Sequence, residues 1–564
     1  MYHLARSALR ARGRSLPRTA RRFQSTNSQS IPSGTAIGLI ISGSILGSVG
    51  VYVAQKGKPT KGQAVQQSTK QSFPSSSTSP LDQLQVPEYG SKEDQEKAFA
   101  EITAIVGKDQ IVRDKEQLDN HSDTVWSTHH AKDHERPGVV VYPSSTEEVS
   151  KIMKVAHKYR VPVTAFSGGT SLEGHFTPSF GGISLDFQRM DQVLAIHKDD
   201  LDAVVQPAVG WEALNEVLDD YDLFFAPDPG PGAQIGGMIG TSCSGTNAAR
   251  YGTMKENVVN LTVVLADGTV IKTRQRPRKS SAGYNLTGLF VGSEGTLGIV
   301  TEATVKLVPK PKNETVSVVG FTSVRDAADV VSEIVQHGIN VAAVELLDEK
   351  ALESINKAKS TSRTWEETPT LFFKFNGTKR SVEDQIDTVR RIASTHGSVS
   401  FDFAQNKEEA DELWSARKHA LWSTIESAPE GSNVWTTDVA VPVSQLPEVV
   451  AQTKKDIVQS GLEGSTIVGH VGDGNFHAIL AYNPETQKEI VEGVVHRMVK
   501  RALEVEGTCT GEHGVGEGKK PYLEHELSVE AVDAMRRLKK AFDPLSILNP
   551  DKVVTVNPRI DSNH

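Results

Sequence analysis

The sequence predicts an α+β protein with two successive α+β domains, and three observations predict it. Short strands alternate with amphipathic helices from about residue 133. The composition shifts near Asn313 to a second run of helices and strands, and the glycines are gathered into a few turns that follow strands. A chain of 564 residues is long enough for two such cores. The two cysteines, Cys243 and Cys509, give no disulfide framework and no Cys/His finger spacing, so any metal must use nitrogen and oxygen ligands.

Residues 1–30 carry seven arginines and no acidic residue, the composition of a mitochondrial transit peptide, and Arg-Arg-Phe-Gln-Ser puts processing near Phe23. Residues 33–55 are uncharged for about the length that crosses a bilayer core. Following a transit peptide, that stretch is expected to anchor the chain in the inner mitochondrial membrane, with the body facing the intermembrane space; full import into the matrix is the alternative. Residues 56–81, rich in Ser, Gln, Lys and Thr, read as a flexible linker. Removal of the first thirty residues takes the net charge from −9 to −16, and so acidic a body excludes nucleic acid as a partner.

In the body, 82–133 is loosely helical. A strand and turn follow at 137–145, and a helix opens at Ser145 with a capping box to Glu148. A strand at 161–171 enters a glycine turn. Further strands are expected at 183–186, 203–206, 261–265 and 298–308, with hairpins at Asp267-Gly268 and after Gly295. VVGFTS, PTLFFKFNG and TIVGHVG belong to the second domain, and a helix over 527–541 leads into a short apolar segment that packs back on the first. The expected boundaries are 82–312, 313–520 and 521–564.

Three glycine-rich segments suit a large anionic ligand. FSGGTSLEGH, Phe166 to His175, follows a strand, and its paired glycines allow backbone amides to converge on an anion beside Ser and Thr hydroxyls. Gly230 to Gly252 offers a surface of small residues on which a flat ligand can lie, and Phe290 to Leu307 adds another small-residue turn. A nicotinamide Rossmann site is excluded: the Gly230, Gly232, Gly236 spacing is wrong, and no ribose-binding acid follows at the required distance.

FSGGTSLEGH, DPGPGAQIGG, SCSGTNAARYGTMKENV and VGSEGTLGIVTEATVKL together resemble the FAD-binding domain of the vanillyl-alcohol oxidase-like flavoproteins. With GHVGDGNFH, GTCTGEHGVG and LNPDKV, the chain is similar, over about 90–555, to the fungal mitochondrial branch that oxidises D-lactate to pyruvate and passes electrons to cytochrome c. A D-2-hydroxyglutarate dehydrogenase of the same family is the alternative. The resemblance implies a PCMH-type FAD domain of two α+β subdomains, a ferredoxin-like cap, and noncovalent FAD. It assigns FAD contacts to Ser167, Gly168, Gly169, Thr170, Ser171, Gly232, Gly236, Gly237, Thr241, Ser244, Gly252, Gly298 and Ile299.

GHVGDGNFH holds His470 and His477 seven residues apart. On a continuous strand they face opposite sides, so they converge only if the Gly-Asp-Gly turn folds the chain between them. Glu512 of GEHGVG would complete a two-nitrogen, one-oxygen set for a divalent metal, zinc or manganese, with positions left for a 2-hydroxy acid to chelate. Satisfied polar loop residues are the plainer reading of the same histidines; the resemblance implies the metal. It also makes His513 the base for the hydroxyl proton, Arg417 the clamp for the substrate carboxylate, and Asn475 a hydrogen-bonding partner of the substrate. In ELWSARKHALW a helix puts Trp414, Arg417 and Leu421 on one face and leaves Lys418 exposed.

Overall fold

The first sheet runs in the order β1 (Ile111–Val112), β2 (Val139–Val141), β4 (Ile183–Asp186), β3 (Val163–Phe166). β2, β4 and β3 are parallel, whereas β1 is antiparallel to β2. The three valines of β2 are fully buried, as suits β-branched residues in a strand covered on both faces. These elements come from a computed structural model that describes residues 76–559, all within the unit that begins at Phe73. The expected transit peptide and anchor, and nearly all of the linker, lie outside the described residues.

Parallel strands need a crossover, and the helix Thr146–Tyr159 supplies the one between β2 and β3. Ser145 caps it by accepting from the Glu148 amide at 3.2 Å. The expected reciprocal half of the capping box is not formed: the Glu148 carboxylate accepts instead from the Ser144 amide and hydroxyl and from Gln110.

The second sheet is antiparallel, in the order β5 (Val193–His197), β6 (Asp202–Val205), β10 (Ile299–Lys306), β8 (Val258–Val264), β9 (Val270–Lys272), while β7 (Leu223–Phe224) pairs apart with β11 (Val308–Pro309). The hairpin expected at Asp267-Gly268 joins β8 to β9, with Gly268 at a φ of +82°. The hairpin expected after Gly295 does not form. A helix, Leu286–Phe290, intervenes, and β10, buried along most of its length, enters between β6 and β8, where it gains a partner on each side.

From Asn313 the chain builds an antiparallel sheet in the order β15 (Ser398–Phe403), β12 (Asn313–Phe321), β14 (Thr370–Gly377), β13 (Ala343–Leu347), β18 (Thr466–Gly469), β19 (Asn475–Tyr482), β16 (Asn433–Thr436), with β17 (Val439–Ala440) also pairing β19. Two apolar clusters cover it. One gathers the helices Val324–Gln336, Lys379–Thr395, Leu446–Gln459 and Lys488–Glu504; the other gathers Glu349–Ala358 and Lys407–Ser427.

The end of the chain returns to the first sheet. After the helix Val529–Phe542, the Val163 amide donates to the Ile547 carbonyl at 2.7 Å and the Asn549 amide donates to the Val163 carbonyl at 2.8 Å. Ile547 and Leu548 enter the core shared by β2, β3 and β4. Among the described residues no helix is long and apolar enough to cross a membrane.

Candidate active site

β18 and β19 form an antiparallel pair in which Val468 lies opposite His477. The turn between them, Val471–Asp473, closes on Gly474 at a φ of +74°, where a Cβ would meet the Val441 carbonyl oxygen at 2.1 Å. Only glycine fits there. This fold brings the His470 and His477 rings to 5.5 Å between centroids.

Their Nε2 atoms converge on one carboxylate oxygen, Glu512 Oε1, at 3.1 and 3.2 Å. The far nitrogens are both occupied. His470 Nδ1 donates to Glu345 Oε1 at 2.9 Å, and His477 Nδ1 donates to the Thr437 carbonyl at 2.9 Å. Each ring thereby has Nδ1 engaged and Nε2 turned toward Glu512, the orientation in which imidazoles ligate metals. The three ligand atoms all lie within 4.8 Å of one another, close enough to share one ion. The site also attracts positive charge: burial opposes protonation of His470, yet Glu345 and Glu512 raise its pKa well above the ordinary value. The residues therefore fit a divalent metal.

Asp438, His477 and His513 form a second grouping of similar spacing. Its carboxylate is already engaged: Asp438 accepts from Asn475 Nδ2, the Thr510 hydroxyl and the amides of Glu512 and His513 at 2.7–3.0 Å. Those bonds shape the GEHGVG loop. His513 lies parallel to His477, 5.0 Å between centroids, and its Nδ1 has no hydrogen-bond partner. Burial pushes its pKa down to about 4, so it is a neutral base at neutral pH. Asn475 is buried, and its amide group donates to Asp438 and to the Val439 carbonyl, leaving Oδ1 without a partner. Its donors therefore face the protein, and Oδ1 is the atom left for the substrate contact expected of it.

The helix Lys407–Ser427 presents Trp414, Arg417 and Leu421 along one face, as the spacing predicts, and Lys418 is exposed. Arg417 Nε donates to Glu345 Oε2 at 2.7 Å. Glu345 thus touches both His470 and Arg417, and with Asp438 it is what the sequence reading missed. A lone acid inside the apolar run Ala-Val-Glu-Leu-Leu was the available signal, because a buried charge needs partners. On the neighbouring β14, Lys374 holds its ammonium 4.3 Å from the Trp414 ring centroid.

The glycine segments come together as well. Gly169 has a φ of +66°, and a Cβ on Gly168 would lie 2.7 Å from the Gly232 carbonyl oxygen. Among the described residues, the amides of Gly168, Gly169, Thr170 and Ser171 donate to no protein acceptor. Four consecutive unpartnered amides form an anion nest. Across from it, Gly237 of the helix Ile235–Thr241 presents an open face, since a Cβ there would meet only the Ser167 side chain at 3.9 Å. The residues fit a dinucleotide pyrophosphate with its flat ring beyond.

Other residues expected to touch FAD also have packing roles. Gly236 allows close approach to Pro207, Gly252 ends a helical turn, and a Cβ on Gly298 would strike Val263 at 2.5 Å. Ile299 is a core residue, and Thr241 bonds its own helix. Ser244 donates to Glu512 Oε2 at 2.6 Å, so the Gly230–Gly252 segment touches the metal-ligand candidate directly.

Two families match the chain: an FAD binding domain over residues 137–274 and the C-terminal domain of FAD linked oxidases over 310–553. The mitochondrial D-lactate dehydrogenase (cytochrome) of Kluyveromyces lactis is 52% identical over 494 residues, 86% of this chain and 85% of that protein. The corresponding Saccharomyces cerevisiae protein is 54% identical over 457 residues, 80% and 78% of the two chains. The chain belongs to this family of FAD-linked D-lactate dehydrogenases. It is an FAD-binding oxidoreductase. Its fold is the PCMH-type α+β fold, shared with the 4-ethylphenol oxidase of Gulosibacter chungangensis at a TM-score of 0.69, with 19% identity over 84% of this chain and all of that one.

Proposed function

We propose that the protein oxidises D-lactate to pyruvate using noncovalent FAD and a divalent metal, zinc or manganese, and passes the electrons to cytochrome c. The observation that carries this reading is the convergence of two imidazole Nε2 atoms and one carboxylate beside a partly buried arginine fork. The 52–54% identity to enzymes so named supports it. When bound, FAD accepts a hydride from the substrate carbon, and the metal, held by His470, His477 and Glu512, lowers the pKa of the substrate hydroxyl.

The chain supplies the rest. Arg417, its Nε engaged by Glu345, offers its two terminal nitrogens to the substrate carboxylate. His513, neutral and with Nδ1 unpartnered, takes the hydroxyl proton. Asn475 keeps Asp438, and through it the His513 loop, in place. The amides of Gly168 to Ser171 hold the pyrophosphate, with Ser167, Gly232, Gly236, Gly237, Thr241, Ser244 and Gly252 shaping the flavin bed, and Gly298 and Ile299 supporting it through backbone. In this reading 82–312 with 521–564 carries FAD, and 313–520 is the cap that carries metal and substrate. Anaerobic D-lactate should bleach the flavin band of the purified protein; an unchanged band would rule out the reading.

The electron acceptor follows from an acidic body, −16 without its first thirty residues, meeting a basic carrier. The relatives' names and the N-terminal composition support a mitochondrial protein; the uncharged stretch 33–55 alone supports an inner-membrane anchor with the body in the intermembrane space. Protease added to mitochondria with ruptured outer membranes should degrade the body; protection would place it in the matrix. One observation favours a second substrate, D-2-hydroxyglutarate: Lys374, which forms no ion pair among the described residues, stands beside Trp414 as a candidate for a distal carboxylate. The ratio of kcat/KM for the two acids decides between them.

A further inference from the structure

Glu345 is an acid in the middle of β13, fully buried between apolar neighbours. Such a charge persists only where partners satisfy both of its oxygens. Here the partners come from two different elements. Oε1 accepts from Nδ1–H of His470, in the turn after β18, and Oε2 accepts from Nε–H of Arg417, on the helix Lys407–Ser427.

We infer that Glu345 is a positioning residue that sets the distance between the metal and the carboxylate clamp, and so selects acids with the hydroxyl on the adjacent carbon. The inference rests on the metal reading above. By accepting from Nδ1–H, Glu345 holds the His470 ring with Nε2 turned toward Glu512, the nitrogen a metal would take. By engaging Nε–H, it leaves the two terminal nitrogens of Arg417 as an open fork. A single planar carboxylate on a central strand does both, so neither group can shift without the other. A 2-hydroxy acid places hydroxyl and carboxylate on adjacent carbons, and is the substrate that two grips locked to one short carboxylate would select. A 3-hydroxy acid, one carbon longer between the same groups, cannot reach both grips together.

Glu345→Gln tests it, being nearly the same size. The amide offers one acceptor and one donor to two N–H groups, so one of them is opposed. His470 is then driven toward the tautomer protonated on Nε2. We expect zinc affinity, measured on the flavin-loaded protein by chelator competition, to fall by about 10–100-fold. KM for D-lactate should rise at least about tenfold, with flavin content and unfolding midpoint near wild type. Glu345→Asp keeps the charge but is one methylene shorter, so it can serve one partner and should restore one of the two readouts, not both.

A flavin-loaded Gln variant with wild-type zinc affinity and KM would overturn the inference while leaving the metal reading intact. If the Gln variant does not fold, the Asp variant decides, and wild-type values of both quantities would overturn it. A wild-type protein that neither contains nor takes up zinc or manganese would overturn the metal reading and this inference with it.

Discussion

The Oδ2 atom of Asp438 lies 3.0 Å from the backbone nitrogen of His513. The same oxygen accepts from the Glu512 amide, at 2.9 Å, and the Thr510 hydroxyl, at 2.7 Å. One carboxylate therefore sets the conformation of the segment that carries both a metal-ligand candidate and the candidate base. Asp438→Asn presents an NH₂ group toward donors, in a place with no exposure to water. Stability should fall by about 3 kcal/mol in urea unfolding, and kcat should drop more than KM rises. An unfolding midpoint within experimental error of wild type would show that the loop holds its shape without Asp438.

Arg417→Lys should raise KM for D-lactate strongly and lower kcat, because a point charge cannot keep the bond to Glu345 and also present a two-pronged donor. Steady-state kinetics checks this. An unchanged KM removes Arg417 from the substrate site.

Glu294 should make stability pH-dependent. Its carboxylate accepts from the Val515 and Gly516 amides at 2.6 and 2.8 Å and faces His175 Nε2 at 3.5 Å. Burial pushes its pKa up to about 7, against the pull of those two amides. In the unfolded chain a glutamate titrates near 4.3. The folded state thus holds the proton over a range where the unfolded state has lost it. The contribution is complete below the unfolded value and is lost as pH rises through about 7, a decline of up to about 3 kcal/mol. Urea midpoints at pH 5 and pH 8 should separate wild type from Glu294→Gln, which has no such group to titrate. Equal slopes in the two proteins would assign the effect elsewhere.

Cofactor loss should divide by position. His470→Ala should abolish turnover and metal content and leave the protein yellow, since it removes little buried apolar surface. Gly169→Val should lose flavin, because the residue needs a φ of +66° and a Cβ there would sit 2.9 Å from the Phe166 ring, whereas metal is retained. Flavin absorbance and metal analysis on each variant check both. The bond from Ser244 to Glu512 predicts a slight cross-effect, with Ser244→Ala weakening metal retention by a few-fold.

Much of this site was legible as local pattern. The Gly-Asp-Gly turn that folds His470 back toward His477, and the helical spacing of Trp414, Arg417 and Leu421, are both written within a dozen residues. Glu345 and Asp438 were not legible in that way, because their partners lie 125 and 75 residues away for His470 and His513 respectively. Glycine density does not announce packing either: a Cβ on Gly298 would meet Phe290 at 3.0 Å and, from a distant part of the sequence, Val263 at 2.5 Å. The hairpin expected after Gly295 failed for a related reason, since a turn signal does not say which strand the next one will pair with.

The contact between Val163 and the Ile547–Asn549 segment fixes the order in which the first sheet can assemble. Tyr89 donates to the Ser546 carbonyl across 457 residues of sequence, and β3 finds its outer neighbour only in Ile547 to Asn549. Contacts of such long range form late, since a very large loop must close before they repay its entropy. The first sheet therefore stays incomplete, with β3 open along one edge, until the segment that carries Ile547 to Asn549 docks. That segment is a latch on the sheet, and Tyr89 is the catch that holds it.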